Sequence, residues 1–445
     1  MRRNKVPNQI YAAIIVLFGL AAYANSQQQF SKPLGDTLYI KDVVQSALSN
    51  NDQATAARLM EQSAMKKTGY EGAWDDPMLM VGVVNLPTSF DFKEDMMTMK
   101  MIGVSQNIPY SGYKWFQSKA AKAQAQVSRQ DRFGIELALA AAAKTAFYEL
   151  YYRQSILADL IGQKDLGAQV VATVAAKLRS DQANQADFEA AQADQWRLES
   201  QILSAQQDVD AAVLNLFAIM GRKSDTTIPN LAVPLAAATT PAQVAIPDTP
   251  DEWLSQAQSY YPPLQRLKWQ SKSYAYQATS SRRMRWPMFG LSANYGFRED
   301  SPMEKRDDMV GFEATFSVPI FSWHAQGQMA ASMKAMKLEA EAESRQLWRE
   351  VEANLRALHK RAIRLSQSMS LYKDKIIPAD ENAFQSALAG MAANSVPLAK
   401  LLNYYSTIYK DHIVYNQTSL ELARTIIEIE RYTTDPEKLA GLQNK

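Results

Sequence analysis

The chain repeats itself once, and that duplication restricts its fold more than any other feature. Ile108-Pro109-Tyr110-Ser111 is echoed by Val318-Pro319-Ile320-Phe321, an offset of 210 residues from Pro109 to Pro319. The same offset pairs Pro77-Met78 with Pro287-Met288, Leu178 with Leu388 and Asn184 with Asn394. It also pairs Lys41-Asp42-Val43-Val44 with Asp251-Glu252-Trp253-Leu254, each opening an amphipathic segment. A solenoid needs three or more units to bury its core. Two large copies instead predict a pseudo-symmetric unit that closes a ring with other subunits.

Each copy reads in the same order: helix, strand, strand, long helix, return helix. Repeat one covers 25–220, with strands at about 77–87 and 97–108 and a long helical hairpin over about 113–220. Repeat two covers 251–432, with strands at about 287–297 and 309–319 and a hairpin over about 323–432. The opening helices, about Ile40–Glu71 and Asp251–Arg283, are each broken once, before Asp52 and at Pro262-Pro263. The joining segment, 221–250, is rich in Pro, Ala and Thr and reads as an extended connector. Residues 433–445 form a C-terminal tail.

The strands alternate. In Phe289-Gly290-Leu291-Ser292-Ala293-Asn294-Tyr295-Gly296-Phe297, large apolar residues alternate with small or polar ones, and Phe312 to Val318 repeats the pattern. Period two sends the two sets to opposite faces. Apolar outside and polar inside, over roughly ten residues, is the pattern of a membrane β-barrel strand, although a half-buried soluble hairpin alternates in the same way. In repeat one Leu79, Val81, Val83, Ile102 and Val104 take the outward face; Met80, Met99 and Met101 take the inward one, where they would line a lumen near one level. Thioethers suit soft cations but also serve as flexible filler. Trp74 and Trp286 precede the first strands, and Trp115 and Trp323 follow the second. All four therefore sit at one end of the sheet, as aromatic residues do at a membrane–water interface. Four strands are too few to close a barrel of useful width; three copies of the chain would supply twelve.

Between Pro109 and Pro229 there is no proline. The stretch from about Tyr113 to Arg179 is rich in good helix formers, and a helix of that extent would be roughly 100 Å long. Such a length suits spanning a periplasm. Ala120, Ala121, Ala123, Ala125 and the run Ala138–Ala143 would let neighbouring helices approach closely. Ser180-Asp181-Gln182-Ala183-Asn184 and Gly390-Met391-Ala392-Ala393-Asn394 interrupt the helical pattern. Asn tolerates a left-handed backbone, so Asn184 and Asn394 are expected to reverse the chain. Asp187 favours a helix start electrostatically, and Pro397 fits the first turn of the other return helix.

The first residues are a targeting segment. Arg2, Arg3 and Lys5 precede an apolar run from Ile10 to Ala24 that ends in Ala22-Tyr23-Ala24, so 1–24 reads as a secretory signal peptide. The chain has no cysteine, hence no disulfide and no thiol to carry a lipid. Beyond the signal no apolar run would span a membrane as a helix, which leaves a closed barrel as the only way across. The formal charge is +2, from 48 Lys+Arg against 46 Asp+Glu, and gives no sign of a nucleic-acid binder. His324, His359 and His412 form no H-E-x-x-H pair. Walker and Rossmann fingerprints and a nucleophile elbow are missing too. No catalytic residue, cofactor site or resident metal site is therefore assigned, and the chain is read as a non-enzyme.

Together these features resemble the TolC-like outer membrane efflux proteins over essentially the whole mature chain. Val104-Ser105-Gln106-Asn107-Ile108-Pro109, followed by Ser111-Gly112-Tyr113-Lys114, is similar to the family's Q-x-I-P-x-x-G-K stretch, which ends the second strand and opens the long helix. Ile376-Ile377-Pro378-Ala379 resembles its proline-marked break, and Asn184 to Gln192 its turn and return helix. The resemblance implies a mainly α protein with a membrane β-barrel part. It implies a homotrimer with a twelve-strand barrel in outer membrane lipid, standing on a periplasmic α-helical barrel. It further implies a periplasmic adaptor protein and an inner-membrane RND-type pump as partners, and passive export of metal cations or small toxic compounds. The Pro-Met start and the Gln-x-Ile-Pro strand end look most like the heavy-metal (CzcC- or CusC-like) branch. Two departures stand out. Asn replaces the Gly often found at the turns, and Asn403 stands where some members carry an acid that narrows the inner entrance. Asp181 is then the nearest acidic candidate for a gate. A conduit for type I protein secretion has the same architecture, and a non-conducting periplasmic coiled-coil scaffold would explain the helices without the strands.

Overall fold

The computed structural model describes residues 38–109, 111–181, 183–222, 246–301, 304–393 and 395–441. The expected signal peptide, most of the 221–250 connector and Asn394 lie outside the described residues.

Repeat one begins with α1 (Ile40–Asn50) and α2 (Asp52–Gly72). Asn51 separates them: its extended backbone ends α1, and its side chain accepts from the Gln53 N–H to start α2. Strands β1 (Met78–Val84) and β2 (Met99–Ile108) follow, then the long helix α3 (Tyr113–Arg179, 67 residues) and the return helix α4 (Gln185–Ile219). Repeat two runs α5 (Asp251–Tyr260), α6 (Pro262–Arg283), β3 (Phe289–Phe297), β4 (Met309–Phe316) and α7 (Ser322–Leu371). One π-turn, Tyr372–Ile376, then leads into α8 (Ile377–Ala392), and α9 (Leu398–Thr433) returns. The residues expected to be a featureless tail include a short helix, α10 (Pro436–Gly441), which buries Leu439 in the core.

The strands are shorter than the alternation suggests. β1 stops at Val84 because Asn85 takes a left-handed backbone (φ 54°), a step out of the pleat. β4 stops at Phe316, three residues before Pro319, which has no N–H to offer a partner strand.

The four strands form one antiparallel sheet in the order β1-β2-β3-β4. Its central pair, β2 with β3, joins the two repeats, with Met101 opposite Gly296 and Ser105 opposite Ser292. The helical body carries the core. In repeat one, Val43, Val44, Ala47 and Leu48 of α1 pack on Ala143, Phe147 and Leu150 of α3 and on Leu216 of α4. Repeat two reproduces this packing: Leu254 and Ala257 of α5 meet Leu355 and Ala362 of α7 and Leu422 of α9. The expected close helix approach is visible at Ala120, Ala123, Ala125, Ala140 and Ala143, all buried.

Candidate channel wall and helical tip

The register sorts the strand residues onto two faces. On one lie Leu79, Val81 and Val83, beside Val104 and Ile102, then Tyr295, Ala293 and Leu291, then Val310, Phe312 and Phe316. These large apolar groups are bare: Val81 is 77% and Phe312 83% exposed. On the other face lie Met78, Met80, Gly82, Met99, Met101, Gly103, Ser105, Ser292, Asn294, Gly296, Met309, Gly311, Glu313 and Thr315. Glu313 is the one charged strand residue on that face. A water-soluble sheet buries its apolar face, whereas here the apolar face is open and the small, polar and methionine side chains lie on the opposite face. Among the described residues the outer strands β1 and β4 each leave one edge unpaired.

The inward methionines do not share one level. Met80 stands opposite Gly103, Met101 opposite Gly82 and Met99 opposite Val84, which are three successive inward rows, each about 7 Å along the strand from the next. Gly296 makes room for the Met99 side chain, because a Cβ there would lie 2.5 Å from its sulfur. Met78 and Met309 extend the same face. Among the described residues no group of three or more His, Asp or Glu is arranged to hold a metal ion.

Trp74, Trp115, Trp286 and Trp323 all lie where the sheet meets the helices, each more than half exposed. At the far end the outer loops are tied together: Arg306 donates to Asp95 O (2.9 Å) and Lys100 pairs with Glu299 (2.6 Å).

At the opposite extreme, about 100 Å away along α3, lie the two helical turns. Here the structure corrects the expectation for Asn184. The left-handed residue is Asp181 (φ 55°), next after the Ser180 cap of α3. Asn184 is extended and caps α4, its Oδ1 accepting from the Asp187 N–H at 2.8 Å. The reversal must occur where α3 ends, so the left-handed step falls early and the Asn side chain serves the next helix. Asp187 sits in the first turn of α4, where a negative charge is favoured. In the second turn Ser395 N–H bonds Gly390 O, and Pro397 caps α9 from just outside it rather than within its first turn. Lys177 donates to Met391 O and so links the two turns. Asn403 is exposed on α9.

Above this tip lies a set of side chains that the sequence alone did not single out. Asp159 of α3 accepts from Asn416 of α9 at 2.8 Å and faces His412 Nδ1 at 3.6 Å. Glu381 of α8 faces His412 Nε2 at 3.9 Å, and Asp380 of α8 lies beside Asp411 of α9. Burial, then the bond to Asp380 and its charge, push the Asp411 carboxyl up to about 6. The hydrogen bond to Asp159 raises His412 against the opposing effect of burial. Tyr405 of α9 donates to Gln163 O of α3 at 2.9 Å, its ring lying over Gly167, and burial lifts its phenol to about 12. The sequence signals were only the adjacent pairs Asp380-Glu381 and Asp411-His412; the folded hairpins bring them together.

No protein-family model and no curated protein matches this sequence. Solved structures do match. CusC superposes with a TM-score of 0.71 over 91% of this chain and 95% of its own, at 14% identity. The fold is that of the TolC-type outer membrane channels. VceC, an outer membrane protein of Vibrio cholerae, gives 0.71 over 89% and 96% at 11% identity. The CmeC outer membrane channel of Campylobacter jejuni gives 0.66 over 91% and 89% at 14%. The channel fold thus comprises one sheet of four strands per chain on a body of long helices, and the CusC-like branch is not singled out by these identities.

Proposed function

We propose that the chain is the passive outer membrane channel of a tripartite efflux assembly. The single observation that carries this reading is the inverted sheet: an exposed apolar face, an opposite face of small, polar and methionine side chains, and two edges unpaired among the described residues. Such a sheet is stable when lipid covers the apolar face and further strands cover the edges. Three copies pairing β4 of one with β1 of the next close a twelve-strand barrel around the polar face. The helices hang below it as a water-filled sleeve across the periplasm, and residues 1–24 direct export as a signal peptide. A groove of about 840 Å³, floored by Ala138, Ala142 and Ala211 and flanked by Glu149, Arg153 and Arg424, suits a helix from a neighbouring subunit or the adaptor. Energy comes from the inner-membrane RND-type pump. The cargo class is metal cations or small toxic compounds, with the inward methionines offering soft ligands along the exit. In this reading Asp181, Asn184, Asp187 and Asn403 surround the inner opening; Asn394 is a candidate from the sequence alone.

The test is electrical. The purified protein, trimeric in detergent, is expected to give discrete single-channel currents in planar bilayers. A monomer that stays soluble without detergent and conducts nothing would refute the reading. Replacing Asn403→Asp is expected to add cation block at the inner opening; an unchanged current would remove Asn403 from it.

A further inference from the structure

The rim where repeat two enters the sheet carries cations without counter-charges. Arg282 and Arg283 end α6, and Arg285 follows just before Trp286. The Arg285 guanidinium lies 5.5 Å from the Trp323 ring and against Gly327, where any Cβ would collide with it. Its Nε has no hydrogen-bond partner, and a buried donor left unbonded carries an energetic penalty that a ligand acceptor would relieve. Arg283 sits 5.6 Å from the Phe116 ring and 3.5 Å from Ser111 O. Lys119 lies 3.5 Å from the Trp115 ring and 5.7 Å from that of Tyr276. Among the described residues none of these four cations pairs with a carboxylate, whereas Lys114 nearby pairs with Asp75 at 3.2 Å. Directly beside them the strand end carries Val318 and Ile320, 75% and 73% exposed, in line with the bare apolar face of β4.

We infer that this rim binds the phosphodiester headgroups of anionic phospholipids in the leaflet that faces the helices, through Arg282, Arg285 and their aromatic neighbours. The inference rests on the membrane reading above. An arginine fork matches phosphate oxygens in both shape and charge. Tryptophan places its ring at headgroup depth. The adjoining apolar strand end gives the acyl chains somewhere to lie, which selects a lipid over free phosphate.

The test reconstitutes the full-length protein into phosphatidylethanolamine vesicles containing phosphatidylglycerol, with bromine on the acyl chains of one lipid or the other, and reads tryptophan quenching. Brominated phosphatidylglycerol is expected to quench out of proportion to its mole fraction. The double variant Arg282→Gln with Arg285→Gln is expected to lower that preference about fivefold or more, since each cation near an anionic surface contributes about that factor. Arg282→Lys with Arg285→Lys keeps most of it. Equal quenching by the two lipids overturns the headgroup site while leaving the membrane reading standing. A preference undiminished in the glutamine variant also overturns the site. Absence of quenching by either lipid overturns the membrane reading itself. If the glutamine variant fails to fold, the wild-type preference at raised salt decides: an anionic site weakens, an apolar one does not.

Discussion

The two long helices descend from one duplicated sequence yet are built differently. α3 runs unbroken for 67 residues. Its counterpart is divided at the π-turn Tyr372–Ile376. The reason is a single position: Pro378 stands where the first copy, 210 residues earlier, has Ala168. A proline inside a helix has no N–H to donate and crowds the preceding turn, and the extra residue of a π-turn absorbs both conflicts. Electrostatics diverge too. α3 is fastened to α2 by a buried network in which Glu136, 1% exposed, meets Arg58 at 3.2 Å and Arg132 at 2.9 Å, while Arg132 also meets Glu61. In repeat two the position of Glu136 is held by Gln346, whose bonds stay on its own helix: it donates to Glu350 and accepts from Arg349. Conversely Asp380 and Glu381 beside the π-turn correspond to Val170 and Val171 of the first copy. One copy has become a strut, the other a jointed rod with titratable groups at the joint.

The strongest way to break this contrast is at the buried network. Glu136→Ala removes the buried carboxylate that two arginines share, leaving Arg132 with Glu61 alone and Arg58 with only the Leu48 carbonyl, and a loss of about 3–5 kcal/mol is expected. Gln346→Ala is expected to stay within about 0.5 kcal/mol. Thermal unfolding of the two variants in detergent measures both, and similar shifts would erase the distinction. Next is the exchange of joints. Ala168→Pro, at an exposed site in α3, is expected to cost about 3 kcal/mol. Pro378→Ala is expected to slow hydrogen exchange over the π-turn as the helix regularises; unchanged exchange there would mean the proline does not cause the break.

The smallest expected effect is the response to pH. Asp411 has a raised pKa, so the folded chain keeps a proton that the unfolded chain loses, and this contribution disappears as pH climbs through about 6. His412 is raised as well; its contribution is full below its ordinary value of 6.5 and is lost as pH climbs past its folded value. Both work in the same direction against Asp159, Asp380 and Glu381. Hydrogen exchange in α8 and α9 is therefore expected to be slower near pH 5.5 than near pH 7.5, with no such change in α4. Asp411→Asn should flatten part of the response, and an equal response in α4 would sink the assignment.

Much of this fold was readable in advance. Tyr113 and Arg179 bound α3 as expected, because proline is absent and helix formers fill the interval. The breaks at Asn51 and Pro262 follow from local chemistry that needs no tertiary partner. Asn184 misled because asparagine suits both a left-handed turn and a helix cap, and only the helix end decides which is needed. The methionines misled because alternation gives a face but not a register; their rows depend on strands paired across the whole molecule. The Asp159–Asn416 contact joins residues 257 positions apart, a distance over which composition carries no signal.

The seam between β2 and β3 has a consequence for biogenesis. In the outer-membrane reading proposed above, Met101 cannot find Gly296 until the joining segment and the opening helices of the second copy have also been exported. During that interval the first hairpin is an adhesive orphan, rich in valine and methionine and lacking its neighbour. Until β3 arrives, the exposed edge of β2 is open to pairing with any other strand, a hazard that falls on the first copy alone.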